Sequence, residues 1–235
     1  MVTEVPELER VLGRVRFNVQ ADGTLEGDDG SAGIFAAALR YVCRMGAQMG
    51  ALLDVGPLER VSTISTVSVM ARVDGIAPDL SIAAEVDVQS HALVRRPSPV
   101  PVPGLTVSEA INRSLRRVTV DLASDWAAVM TDDARVIGAV HDESAGHAAP
   151  AGLPDVGLRA LAVLASLDEP RRESGVRFDF VRGSVLVAAL GEHALFSHAD
   201  RFEPTDVTRT VDAVRNILAA VELRHAPSVT AYSRA

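Results

Sequence analysis

The stretch IFAAALRYVCRMGAQMGALLDV, Ile34 to Val55, decides how this chain reads. Its length and alanine content predict one long helix from about Ala32 to Leu53, and Gly56-Pro57 supplies the stop. The helix is too apolar to bury a single face. Ile34, Ala38, Tyr41, Met45, Met49 and Leu52 make one stripe, and Phe35, Leu39, Val42, Gly46, Gly50 and Leu53 make a second beside it. Gly46 and Gly50, four residues apart, let another backbone come close, and each costs about 1 kcal/mol against alanine that close packing has to offset. Two readings follow. Either the rest of the same chain covers the second stripe, or Tyr41, Met45, Gly46, Met49 and Gly50 form a partner surface, where aromatic and methionine side chains are frequent.

Strand patterns flank the helix. Val15 to Gln20 alternates, Ala21-Asp22-Gly23 supplies turn chemistry, and Thr24 to Glu26 returns as a short second strand. Asp28-Asp29-Gly30-Ser31 offers turn and N-cap residues before the helix. Beyond it, Leu58 to Val73 is rich in β-branched residues and gives two strands meeting near Ser65-Thr66, with Ser81 to Val88 as a third. RRPSPVPVPG, Arg95 to Gly104, then places four prolines in ten residues, which disfavours helix and central strand alike. It divides the chain into a first α/β unit, 1–94, a proline-rich linker, 95–104, and a second α/β unit, 105–235.

The second unit repeats the order of the first. After a short helix, Thr106 to Arg117, come strands at Trp126 to Thr131 and Arg135 to His141, then a helix over Leu153 to Leu167. Arg177 to Val181, Ser184 to Leu190 and Ala194 to His198 form a meander with Gly183 and Gly191 at its turns. Pro204-Thr205-Asp206 opens the last helix, in which Val207, Val211, Val214, Leu218 and Val221 recur at helical steps. Each half therefore reads as strand, strand, helix and three strands. The fold class that follows is α+β, two units with an antiparallel sheet, a central helix on one face and short flanking helices.

Composition narrows the function. With 48% hydrophobic and 23% charged residues in 235, the chain can bury a sizeable core, so disorder is not expected. All 23 basic residues are arginine, which excludes Schiff-base chemistry, a P-loop lysine and a kinase lysine. Cys43 is the only cysteine, so there is no internal disulfide and no cysteine-based zinc site, and a small buried hydrophobe is its expected role. A formal net charge of −8 argues against nucleic acid as a partner. Apolar runs stop well short of the roughly 20 residues of a membrane span, and Met1 to Arg10 is acidic, unlike a signal peptide, so the expected location is cytoplasmic.

The chain carries few motifs that point to chemistry. There is no Gly-x-Ser-x-Gly elbow, His-Glu-x-x-His helix, Gly-x-Gly-x-x-Gly loop or calcium loop. His141-Asp142-Glu143-Ser144-Ala145-Gly146-His147 is the densest group of potential ligands, and a solvated loop is its plainer reading. His193 and His198, five apart on one strand, would face opposite sides and serve separate roles, and Trp126 is read as a core anchor. No catalytic residue, cofactor or metal ligand is assigned.

Two short strands, a long alanine- and glycine-punctuated helix and a three-strand meander resemble the Roadblock/dynein light chain family, of longin-like fold. In the first half the resemblance rests on VRFNVQADGTLEGDDG, the helix from Ile34, LLDVGPLERVSTIS and VSVMARV; in the second, on AAVMTDDARVIGAVHD, the helix from Leu153 and VRFDFVRGSVLVAALGEHALFSHAD. What it implies is a non-catalytic platform in which paired central helices and neighbouring strands bind or regulate a Ras-like small GTPase, as in bacterial signalling proteins. It further implies a homodimer, or an internal pseudo-dimer made by the two halves. Two rival readings are a profilin-like or PAS-like small-molecule sensor, and an enzyme with a dispersed site around His141 to His147.

Overall fold

Alternating strands and amphipathic helices assemble into an α+β fold: one large, almost wholly antiparallel sheet with four helices. The computed structural model describes residues 13–27, 32–64, 67–77, 79–88, 104–144, 150, 152–167, 174–229 and 233–234. The Asp28 to Ser31 turn, the linker up to Pro103, the Ser65-Thr66 turn and the Ala145 to His147 part of the histidine-bearing loop lie outside them.

In chain order the elements are β1 (Gly13–Val19), β2 (Leu25–Gly27), α1 (Ala32–Leu53), β3 (Leu58–Thr63), β4 (Val67–Ile76), β5 (Asp79–Val88), α2 (Val107–Asp121), β6 (Trp126–Met130), β7 (Val136–His141), α3 (Leu153–Ser166), β8 (Gly175–Phe180), β9 (Gly183–Leu190), β10 (His193–Ala199), α4 (Pro204–Leu218) and β11 (Ser233–Arg234). The strands lie side by side as β11-β7-β6-β10-β9-β8-β3-β4-β5-β1-β2. Outward from β3 the sequence is β4, β5, β1, β2; outward from β8 it is β9, β10, β6, β7. Each step in one direction has its counterpart in the other. The halves meet where β3 pairs antiparallel with β8, Val61 opposite Phe178 and Thr63 opposite Val176, so one sheet runs through both.

Two apolar layers clothe this sheet. On one face α1 and α3 pack against each other and against Phe17, Val61, Ile82, Val86, Phe178, Phe180 and Phe196. On the other, α2 and α4 pack together over Val129, Ile137, Leu186, Leu190 and Leu195, all from the second half. The flanking helices are thus on the opposite face from the central ones, and among the described residues only the second half carries them. α2 begins at a capping box, in which the Glu109 amide donates to Thr106 Oγ1 and the Thr106 amide donates to Glu109 Oε2. It also runs four residues past Arg117, because Val118 is buried and the Thr119 hydroxyl donates back to the Arg116 carbonyl.

The outer edge of β7 is closed by the chain's last described residues. β11 pairs with it in parallel, and the Val229 amide donates to the Val136 carbonyl at 2.8 Å. The guanidinium of Arg135 donates to the carbonyls of Ala226 and Arg224, while Arg224 bridges Asp132 and Glu192. The hydrogen bond from Arg224 holds the Asp132 carboxyl below the usual carboxylate range. Among the described residues, no helix is long and apolar enough to cross a membrane.

Cys43 lies at the centre of the α1 layer, fully buried, and burial pushes its thiol up to about 12. In the folded chain it should resist a thiol reagent at pH 8 and react only through global opening. Labelling rates measured across a urea series should therefore follow the unfolding free energy. Rapid labelling in buffer alone would contradict the burial.

Candidate functional site

The five α1 residues singled out from sequence separate once packed. A Cβ on Gly46 would sit 2.5 Å from Phe178 Cδ1, and one on Gly50 would sit 2.5 Å from Phe180 Cε1. Both aromatic rings belong to β8, so the glycines admit the second half of the same chain. Met49 is fully buried, and Met45 is half-buried against the same core. Only Tyr41 stands out into solvent, with 42% of its surface exposed.

Tyr41 is one of several exposed groups on the outer side of the helix pair. Leu52 on α1 is 43% exposed and Leu158 on α3 is 47% exposed. From Tyr41 to Leu52 the exposed side of α1 extends for about 16 Å at the helical rise per residue. Arg44 is exposed between them, and Arg159 Nε of α3 donates to Gln48 Oε1 of α1 at 3.1 Å, tying the two helices across their junction. Sequence reading reached Tyr41 through its residue type. It missed Leu158 and Arg159, because which side of α3 stays exposed depends on how that helix meets α1.

The histidines do separate work. Across β7, β6 and β10, His141 faces Trp126 and Trp126 faces His198, so the three rings form one row on the α1 and α3 side. His198 is 1% exposed, its ring stacks on Trp126 at 6.1 Å between centroids, and its Nδ1 lies 2.7 Å from Asp125 Oδ2. Trp126 also meets Phe196 edge-on, the place of a core anchor. His193 sits at the far end of β10, where its Nδ1 accepts the Asp132 amide at 3.1 Å, and burial lowers its pKa against the pull of Asp132. At the loop after β7, Asp142 Oδ1 accepts from both the amide and the hydroxyl of Ser144, and these bonds hold its carboxyl below the usual range. Among the described residues, no group of three histidine, cysteine, aspartate or glutamate side chains converges to hold a metal ion.

A second surface lies on the first half, on the face away from α1. Arg16, Asn18, Glu26, Arg60, Met70, Arg72 and Glu85 line a shallow depression of about 770 Å³ there. Arg16 and Glu85 pair at 3.2 Å. Comparison with models of known protein families gives no match, and comparison with curated proteins gives none either.

Proposed function

We propose that this chain is a tandem Roadblock-like regulator or scaffold: a non-catalytic platform that binds a Ras-like small GTPase, or a related signalling partner, on the outer side of α1 and α3. One observation carries the reading. The strand order runs alike in both directions from the β3–β8 junction, with α1 set against α3 beside it, which supports the internal pseudo-dimer that the family resemblance implies. Gly46 and Gly50 support it, since their missing side chains let α1 settle on β8.

The exposed side of the pair has the chemistry of an interaction surface. Tyr41, Leu52 and Leu158 supply apolar and aromatic anchors, and Arg44 supplies a charged contact. Such a platform acts on a GTPase by binding one nucleotide state better than the other, which biases its switch segments without any chemistry of its own. The test is affinity purification of the tagged full chain from its native extract, once with GDP and once with a non-hydrolysable GTP analogue. A Ras-like GTPase should be enriched and should prefer one of the two nucleotides. The same unrelated proteins in both samples, with no GTPase, would overturn the reading.

A further inference from the structure

We propose that the sheet face of the first half that no described helix covers, on the side away from α1, is a docking site for an acidic amphipathic helix supplied by a partner protein. This inference goes beyond the platform assigned above, since it concerns the opposite face of the sheet and does not need a GTPase.

The two halves treat this face differently. In the second half it carries Val129, Ile137, Leu186, Leu190 and Leu195, and α2 and α4 cover it. In the first half the matching strands present Arg16, Asn18, Arg60, Met70, Arg72, Ala83 and Glu85. The sheet geometry that receives helices is therefore repeated, while the side chains have changed from apolar to charged. An occupant of this face has to bring charge.

The sign of that charge is set by register. Arg60 on β3 and Arg72 on β4 are directly opposite residues, an arrangement that costs stability when both carry the same charge. Neither has an ion-pair partner among the described residues: Asp179 of β8, opposite Arg60 on its other side, is taken by Arg177 at 3.1 Å and by the Ser184 hydroxyl at 2.8 Å, and Arg16 is paired with Glu85 on the next rung. Met70 lies two residues along β4 from Arg72, opposite Ser62 and Glu85, and is 57% exposed. Two bare guanidinium groups beside an exposed thioether ask for two carboxylates and one apolar side chain.

A helix delivers that set. Opposite residues on paired strands have Cα atoms about 5 Å apart, and side chains four apart on a helix have Cβ atoms about 5–6 Å apart. A Glu-x-x-x-Glu pair therefore reaches Arg60 and Arg72 together along a helix that crosses the strands, and a leucine at i+3, to the side of the second glutamate, covers Met70. Nucleic acid is disfavoured here, because Glu26 and Glu85 line the same depression and the chain carries a formal net charge of −8.

The test uses the full chain with 13C-labelled methionine methyl groups and a 15-residue acetylated, amidated helical peptide. The peptide carries Glu at i and i+4 and Leu at i+3 and i+7. At low salt it should shift the Met70 methyl resonance saturably while the buried Met49 and Met130 methyls stay in place. A twin peptide with glutamine for glutamate should bind at least tenfold more weakly, and so should the Arg60→Glu/Arg72→Glu chain, with Met49 and Met130 reporting that its core is intact. Absence of a saturable shift, or equal affinity for the twin peptide or the charge-reversed chain, would overturn the proposal. So would a Met70 shift on neutralising Glu4, Glu7 and Glu9 in the peptide-free chain, since the face would then be occupied by the chain's own amino-terminal segment. Failure to capture a GTPase leaves this proposal untouched, and failure of the peptide leaves the α1 and α3 platform untouched.

Discussion

Replacing Phe178 with alanine is expected to cost about 3–5 kcal/mol, the range for a fully buried aromatic side chain, and to loosen both halves at once. The ring lies on β8, in the row where the two halves of the sheet meet, and it fills the space left by Gly46 on α1. Gly46→Ala alone has two opposed effects. It gains about 1 kcal/mol of helix propensity, and it pushes a methyl group to within 2.5 Å of the ring, where overpacking costs about 1–3 kcal/mol. The net should be destabilising in the natural chain and favourable once Phe178 is alanine. A double-mutant cycle by urea unfolding should therefore give a coupling of about 2 kcal/mol between the two positions. Unfolding followed by Trp126 fluorescence, which reports the second half, should coincide with unfolding by far-UV circular dichroism. Equal cost of Gly46→Ala in both backgrounds would contradict the packing of α1 on β8.

The second large effect is expected at Asp125. Its carboxylate lies 2.7 Å from the imidazole of His198, a ring that is 1% exposed and stacked on Trp126. Truncation to alanine takes the carboxylate away from an imidazole that stays inside the core, which costs about 1–3 kcal/mol, the range for a buried polar group that loses a hydrogen-bond partner. Replacing both partners, Asp125→Ala with His198→Leu, should recover a good part of that loss, since removing two hydrogen-bonded polar groups together is cheaper than removing one of them. Urea midpoints measure the loss, and the Trp126 emission should shift in the single variant. If the single and double variants unfold alike, the pair contributes little and the row of rings owes its order to packing.

What the sequence discloses is local. α1 is bounded by its alanine content and by Gly56-Pro57, the first hairpin turns at Asp22-Gly23, and the meander turns at Gly183 and Gly191, because each signal is contained within a few residues. α2 ends later than expected, at Asp121, since Val118, Thr119 and Val120 look like strand residues and only the burial of Val118 and Thr119 keeps the segment helical. The apolar excess of α1 is visible from sequence; the identity of the cover is not. Gly46 and Gly50 announce a close approach, but that Phe178 and Phe180 make it depends on β3 pairing with β8, more than a hundred residues away. Likewise Asp125 and His198 come together through the register of β6 on β10, and Arg60 meets Arg72 through that of β3 on β4. Tyr41 is exposed and Met49 fully buried, a difference that their place in the same stripe does not reveal.

The proposed placement of partner contacts on the outer side of α1 and α3 leads to a specific substitution. Tyr41→Glu with Leu158→Glu changes two exposed side chains and should leave the urea midpoint within about 0.5 kcal/mol of the natural chain. It should also replace two of the three apolar anchors with carboxylates, so a partner docked there loses binding by a hundredfold or more, about 3 kcal/mol. Leu52 remains as an internal control at the end of the stripe.

The most direct measurement is capture from native extract with the natural chain and the Tyr41→Glu/Leu158→Glu chain side by side, each with GDP and with the GTP analogue. The account predicts a Ras-like GTPase bound to the natural chain in one nucleotide state and lost from the variant. A GTPase held equally by both chains, or held by neither, would contradict it.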